Sequence, residues 1–378
     1  MKNLTVLLLI ITMNFLLLRE GKAQQNIKKS IKAGKNGNIE VVLNAGSIKI
    51  VPWGRNEVQV EAAGLYEEDA DKIRISESGN TVRVDYSDGA GPSDEIRFII
   101  SLPAQSRVSL RTNSGDIEVN SGLKGELKGS TSGGDIRLGS VDGRVDLNTS
   151  GGDISSGDIS GDVSFNTSGG DIRMGIISGK ADVTTYGGDI VAKDVGHRLN
   201  AKTYGGDIII GSINGDADIS SYGGTISIKN VAGSAKVSTA GGDINLGGAS
   251  GKVQVNTAGG DIILQKISGT IDAVTRNGDI NVELLSAGKG DSRISTASGS
   301  IRLMVPGNVK ATVEARIRVR GRWGDEEDET KIVSDFKPQS YNKNSNAKEI
   351  RAVYQLNGGG TKISLETVNS EIHILKIR

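Results

Sequence analysis

The chain has 378 residues, with 45 basic and 45 acidic residues and no cysteine. The lack of cysteine excludes disulfides, a thiolate nucleophile and a lipid-bearing cysteine, and the balanced charge argues against a nucleic-acid partner, which requires a basic excess. Glycine contributes 53 residues while aromatic residues make up only 3%, so we expect many tight turns around a core of small aliphatic side chains.

Residues 1–23 have the pattern of a secretory signal peptide. Lys2 precedes an apolar run from Leu4 to Leu18, and the small residues Gly21 and Ala23 follow it. The run is short for a membrane span, which needs roughly 20 apolar residues. We therefore expect cleavage after Ala23 and an exported mature chain without a transmembrane segment, located in the periplasm, at the outer surface or in the medium.

Residues 24–105 are predicted to be an N-terminal capping β region. They contain strand-like runs such as IEVVLNAGSIKIVPW, TVRVD and EIRFIISLP without a strict period. The segment LNAGSIKIV resembles a degenerate first repeat. Terminal repeats are expected to be atypical because they protect an otherwise open edge.

Residues 106–285 form a tandem array. An Asp-Ile pair after glycine recurs at a spacing of 19 once and then 18, with Thr225 filling one gap in the series. The aspartates of this series, which we call station residues together with Thr225, are Asp116, Asp135, Asp153, Asp171, Asp189, Asp207, Asp243, Asp261 and Asp279.

Each 18-residue unit alternates apolar and polar positions with the period of a strand. Isoleucine follows every station residue. Threonine recurs fifteen residues after Asp116, at Thr131, and then fourteen residues after each station residue from Thr149 to Thr275, with Ser221 as the one substitute. One such unit cannot bury its own apolar side chains, so units must stack about 4.8 Å apart. The predicted fold is an all-β, single-domain parallel β-helix or β-solenoid with 18-residue coils and irregular capping strands.

Two other architectures share this period. A left-handed hexapeptide helix needs an apolar residue seven positions after the station, where Asp142, Ser160 and Ser178 stand. A calcium-binding nonapeptide roll has two glycine-rich turns per 18 residues, whereas only one turn here carries the glycine pair. A right-handed β-helix is favoured by the crossover rule, and all five prolines lie outside the array, as continuous ladders require.

Residues 286–378 are predicted to hold further coils and a C-terminal cap. TASGSIRLMVP stretches the register, and TVNSEIHILKI repeats the pattern near the end. Between them, a charged and polar segment at about 322–349 is expected to be a surface loop.

These segments carry a family resemblance. AGSIKIVPWGRNEVQV, the successive TSGGDI and TYGGDI units, TASGSIRLMVP and LNGGGTKISLETVNSEIHI resemble the DUF4097 family of adhesin-like bacterial β-solenoids, and are similar to the head domain of auto-transporter adhesins. The resemblance covers nearly the whole mature chain. It implies a β-helical fold and a cell-envelope location, and it brings no catalytic residues.

The aspartate column is the first candidate site. Carboxylates about 4.8 Å apart repel by about 0.9 kcal/mol in water, so something must offset their charge. Each aspartate is expected to accept hydrogen bonds from the backbone of its own turn. The alternative is a column of calcium ions held by Asp135, Asp153, Asp171, Asp189 and Asp207.

The second candidate is a tyrosine column. Tyr186, Tyr204 and Tyr222 precede the glycine pair in three successive units, with serines before them and alanines after. Stacked rings can simply cover a turn. Alternatively, they form an exposed strip that binds a glycan or a partner chain.

The remaining polar residues indicate structure rather than chemistry. The threonine column is expected to bond along the stack, and His197 and His373 lack the companions that a metal site or catalytic triad needs. The sequence therefore predicts a non-catalytic, adhesin-like binding or scaffold protein of the envelope or surface, with a protein or glycan ligand. The alternatives are a β-helical polysaccharide-acting enzyme and a periplasmic accessory or sensor protein for a membrane partner.

Overall fold

The structure is a computed structural model that describes residues 24–66, 69, 71–89, 96–320 and 331–377. These residues form 37 β-strands, which confirms the all-β class. The predicted signal peptide, residues 1–23, lies outside the described residues. Within those ranges, no helix has the length and apolar character that crossing a membrane demands.

The N-terminal strands are β1 (Gln24–Lys32), β2 (Gly37–Ala45), β3 (Ser47–Trp53), β4 (Glu57–Tyr66), β5 (Arg74–Ser78), β6 (Thr81–Tyr86), β7 (Arg97–Pro103) and β8 (Ser106–Ser114). The strands of the array are β9 (Ile117–Val119), β10 (Leu123–Lys124), β11 (Leu127–Ser130), β12 (Ile136–Leu138), β13 (Val141–Asp142), β14 (Val145–Asn148), β15 (Ile154–Ser156), β16 (Val163–Asn166), β17 (Ile172–Ile177), β18 (Ala181–Thr184), β19 (Ile190–Val195), β20 (Leu199–Lys202), β21 (Ile208–Ile213), β22 (Ala217–Ser220), β23 (Ile226–Val231), β24 (Ala235–Ser238), β25 (Ile244–Leu246), β26 (Val253–Asn256), β27 (Ile262–Ile267), β28 (Ile271–Asn277) and β29 (Ile280–Leu284). The C-terminal strands are β30 (Ser292–Ser298), β31 (Ile301–Val305), β32 (Ala311–Arg318), β33 (Ile332–Ser334), β34 (Ser340–Asn344), β35 (Glu349–Leu356), β36 (Thr361–Val368) and β37 (Ile372–Lys376).

Nearly all of these strands belong to two long, largely parallel sheets, between which the chain alternates. The first sheet has the spatial order β1, β4, β7, β3, β9, β12, β15, β17, β19, β21, β23, β25, β27, β29, β31, β37, β33. The second has the order β5, β6, β2, β8, β11, β14, β16, β18, β20, β22, β24, β26, β28, β30, β36, β32, β35, β34.

Side chains of the same type lie over one another in the interior. Ile172 pairs with Ile190, and Ile190 pairs with Ile208, so that partners differ by 18 in number. All three are fully buried. The predicted alignment of these isoleucines along a shared interior axis is therefore confirmed.

The second glycine of each pair is required by the close approach of successive turns. A Cβ atom on Gly188 would lie 2.2 Å from the carbonyl oxygen of Gly170 in the preceding turn. Contacts of this kind recur at Gly206 and Gly224. Any side chain at this position would force the ladders apart, which explains why the array keeps its glycine pairs.

The two ends are built by insertion rather than by simple succession. Strands β2 and β3 lie between the β6–β7 layer and the β8–β9 layer, so Ile48 is the residue that stacks on Ile117. At the other end, β36 and β37 lie between the β30–β31 layer and the β32–β33 layer, and Ile372 stacks on Ile301. The two terminal segments whose sequences resemble the repeat, around Ile48 and Ile372, thus stack in register with it. Antiparallel strands such as β1 and β35 cover the outermost layers.

The expected surface loop at about 322–349 contains strands in its described part. Residues 331–349 include β33 and β34, and β34 pairs antiparallel with β35. Every residue of β34 is exposed. Because neither face of this strand is buried, its sequence lacks the apolar alternation that would have marked it.

Adjacent isoleucines provide a test of the interior column. Replacing the buried Ile208 by alanine should lower the free energy of unfolding by about 2 to 5 kcal/mol, because it leaves a cavity between two stacked isoleucines. The matched control is Ile209→Ala, since Ile209 is 52% exposed and should change stability by about 0.5 kcal/mol or less. Urea unfolding of the two variants measures the difference, and equal losses would contradict the stacked interior.

Candidate binding site on the glycine corners

Each glycine pair lies in a turn that we call a glycine corner, defined by the five residues from the threonine column to the station residue, such as 185–189. The threonine fixes this turn from inside. Thr185 Oγ1 donates to the carbonyl oxygen of Gly170 at 2.8 Å and accepts from the N–H of Gly188 at 3.3 Å. The same pair of bonds recurs at most corners, including Ser221, so this column joins consecutive turns as predicted.

The station carboxylates fix the corners from outside. Asp189 Oδ1 accepts a hydrogen bond from the backbone N–H of Asp207, and Asp207 Oδ1 accepts from the N–H of Thr225. Such bonds, 2.7–2.9 Å long, extend from Asp116 to Ser300 with a break at Thr225. The expectation that each aspartate bonds within its own turn is wrong, because the partner is the N–H of the next turn.

Other turns of the coil use the same bond. Asp158 and Asp194 accept from the N–H groups of Ile176 and Ser212, and Asp162 accepts from Lys180. Sequence analysis did not identify a role for Asp162. Its spacing of 18 from the donor was the signal that could have identified the bond.

Arginines neutralise part of the aspartate column. Arg137 bridges Asp116 and Asp135, and Arg173 contacts Asp153 and Asp171. The hydrogen bond that Arg137 donates to Asp116 raises the pKa of the Arg137 guanidinium above its usual value, so this group stays charged. Surface pairs of this kind contribute little each, and the main offset to carboxylate repulsion is the backbone ladder.

The tyrosines stand on the outside of three consecutive corners. Tyr186, Tyr204 and Tyr222 are 57%, 43% and 70% exposed. The rings of Tyr186 and Tyr204 stack with centroids 5.0 Å apart and an interplanar angle of 3°, and Lys202 Nζ lies 4.8 Å from the Tyr204 centroid. The structure therefore exposes all three tyrosines and stacks the first two, and it places beside Tyr204 a lysine that sequence analysis missed.

The family assignment follows from the repeat itself. The Toastrack DUF4097 family model matches residues 36–212 and 191–319. The chain belongs to this family. The two matched ranges overlap within the array, as expected when one Toastrack pattern repeats along the chain.

Three solved structures that match this Toastrack chain carry the following names. A "putative adhesin" from Bacteroides fragilis is 13% identical, with 94% of this chain and 98% of that chain covered and a TM-score of 0.24. A "putative cell adhesion protein" from Clostridium sporogenes is 8% identical, with coverage of 94% and 100% and a TM-score of 0.18. A "Putative lipid binding protein" from Parabacteroides distasonis is 12% identical, with coverage of 93% and 97% and a TM-score of 0.23. The comparison with curated proteins gave no match.

The Toastrack aspartate column offers few side-chain ligands for a calcium ion. Calcium takes six to eight oxygen ligands, whereas each station carboxylate uses Oδ1 for the next turn and has one other oxygen to offer. Among the described residues, no three acidic or histidine side chains are grouped so that they could hold a metal.

An open groove of about 430 Å³ lies on the outer face of the first sheet. It forms because the small residues Ser227 and Asn245 stand between Ile209 and Ile263, with Gly247 beside them. Sequence analysis did not identify this groove, since it depends on side-chain size differences between neighbouring coils.

The station ladder can be tested at one position. Asp261→Ala removes the acceptor of the Asp279 N–H and should lower the free energy of unfolding by about 1 to 2 kcal/mol. Asp261→Asn keeps an acceptor oxygen and should recover most of that loss. Urea unfolding of both variants decides the matter, and equal destabilisation by alanine and asparagine would contradict the ladder.

Calcium dependence can be tested separately. If backbone N–H groups rather than cations offset the carboxylates, the melting temperature in millimolar calcium should match that in excess chelator to within about 1 °C, because a ligand specific for the native state would raise it. A clear rise with calcium would show that the column binds the ion.

Proposed function

We propose that this Toastrack protein is an exported, non-catalytic binding or scaffold protein of the cell envelope or surface. In this proposal the two sheets are the faces of a right-handed solenoid with 18-residue coils, and the corners present side chains to a protein or glycan ligand. The tyrosine column carries the proposal, because it exposes three large aromatic side chains on consecutive turns in a chain where aromatic residues are rare.

Rigidity supports a binding role. The tyrosines precede glycine pairs whose turns are held by a threonine hydroxyl on one side and a carboxylate on the other. Positions fixed in this way lose little conformational freedom when a ligand binds, which favours affinity. Exposed aromatic side chains grouped on one surface are also typical of interaction sites.

Carboxylates in another column of the array also accept backbone hydrogen bonds. Asp162 and Asp216, which alternate with basic residues along one column, accept hydrogen bonds from the backbone N–H groups of Lys180 and Ser234. A polysaccharide-acting enzyme would require a pair of carboxylates placed around a scissile bond. This arrangement supports binding over hydrolysis.

Export and binding can be tested together. The secreted or envelope-bound chain should begin at Gln24 by mass spectrometry, and protease added to intact cells should cleave it.

The triple variant Tyr186→Ser, Tyr204→Ser, Tyr222→Ser should fold normally, because Ser132, Ser150 and Ser168 occupy the same column. It should bind the producing cells at least tenfold more weakly than the unaltered chain, since the strip supplies the contact. Triple replacement of those serines by alanine is the control. Unchanged binding by the tyrosine variant would contradict the proposed function.

A further inference from the structure

The tyrosine column ends at Tyr222, and this last ring differs from the other two. Tyr204 is covered by Tyr186 and by Lys202. Tyr222 has Ala240 at the equivalent position of the next turn, so no ring covers it from that side. It is also the most exposed of the three, at 70%.

The corner that carries Tyr222 is also the one that interrupts the carboxylate ladder. Its station residue is Thr225, which has no carboxylate to offer to the next turn. As a result, the backbone N–H of Asp243 has no protein acceptor, alone among the station residues between Asp135 and Ser300 in the described part of the chain. The corner 221–225 thus carries an exposed aromatic ring and a threonine hydroxyl. The unpaired N–H of Asp243 lies on the following turn, where Gly242 packs against the backbone N of Thr225.

The neighbouring carboxylates complete the chemistry. Asp207 and Asp243 flank Thr225 on the preceding and following turns, and each uses Oδ1 for a backbone N–H. Within the described residues, the second oxygen of each has no protein donor and remains available as an acceptor. Two negative charges beside the site disfavour an acidic ligand by direct repulsion.

These groups match one sugar ring. A pyranose has an apolar C–H face that packs on an aromatic ring, and its hydroxyls need both donors and acceptors around the rim, which the N–H, the hydroxyl and the carboxylates supply. A protein partner would need roughly 800 Å² of surface on each side, far more than one corner offers. We propose that the corner formed by Tyr222, Thr225 and Asp243 binds a neutral sugar residue of a surface glycan, an inference that rests on the binding function proposed above.

Binding can be measured with the full mature chain and a panel of biotinylated tetrasaccharides. The neutral probes are maltotetraose, cellotetraose, mannotetraose and galactotetraose, and the acidic probe is tetragalacturonate. At least one neutral probe should bind. Tyr222→Ala should weaken this binding at least tenfold, and the control Ser150→Ala, at the same position of an earlier corner, should change it less than twofold.

A second variant separates ligand contact from folding. Thr225→Asp restores the carboxylate present at the other station positions, and this group should take the Asp243 N–H and weaken sugar binding at least tenfold while the melting temperature holds or rises. The inference is overturned if no neutral probe binds, if only tetragalacturonate binds, or if Thr225→Asp binds as the unaltered chain does.

Should the chain still bind cells through its tyrosines while no neutral probe binds, the sugar site is wrong and the general binding function stands. Loss of cell binding after protease treatment of the cells would indicate a protein ligand and would also overturn the sugar site.

Discussion

Every turn of this protein takes its hydrogen-bond partners from the turn before it and the turn after it. The parallel ladders supply most of these bonds, and the corners add two more, from the threonine hydroxyl to the preceding turn and from the next turn to the station carboxylate. Because the same bond is made at the same position in each turn, a change in spacing at one corner would break several columns at once. This shared register explains why the array keeps a spacing of 18 over most of its length.

The carboxylate column shows how a local cost is offset. Like charges repeated at strand spacing repel one another, yet each one accepts a charge-assisted hydrogen bond, which is stronger than a neutral one. The turn at each corner has no strand partner for this N–H, so the aspartate side chain takes the place of the missing ladder bond. The carboxylates thus continue the hydrogen-bond ladder through the corners, where no strand does so. Arg137 and Arg173 only reduce the net charge of the column.

The corner that ends at Thr225 interrupts the carboxylate column. Thr225 leaves the N–H of Asp243 without an acceptor beside the most exposed tyrosine of the column. This corner therefore differs from the neighbouring corners of the array, whose station N–H groups are bonded to carboxylates. Antiparallel strands cover the second sheet at both ends and the first sheet at its N-terminal end. At the C-terminal end of the second sheet the outermost strand, β34, is polar and exposed along its whole length, a feature that disfavours edge-to-edge pairing.

The sequence by itself determined the strand class, the 18-residue spacing, the interior isoleucine column and the structural role of the threonines, because each of these depends on a local pattern repeated at fixed distance. The sequence also showed that the segments around Ile48 and Ile372 resemble the repeat. Only the tertiary structure decided which strands these two segments pair with. A chain can return to any open sheet edge, and the local sequence does not specify which one. It also decided that the aspartates bond across turns, that Lys202 covers Tyr204 and that Asp243 retains a free N–H. Those contacts depend on the direction in which a side chain leaves one turn and on what the neighbouring turn presents to it.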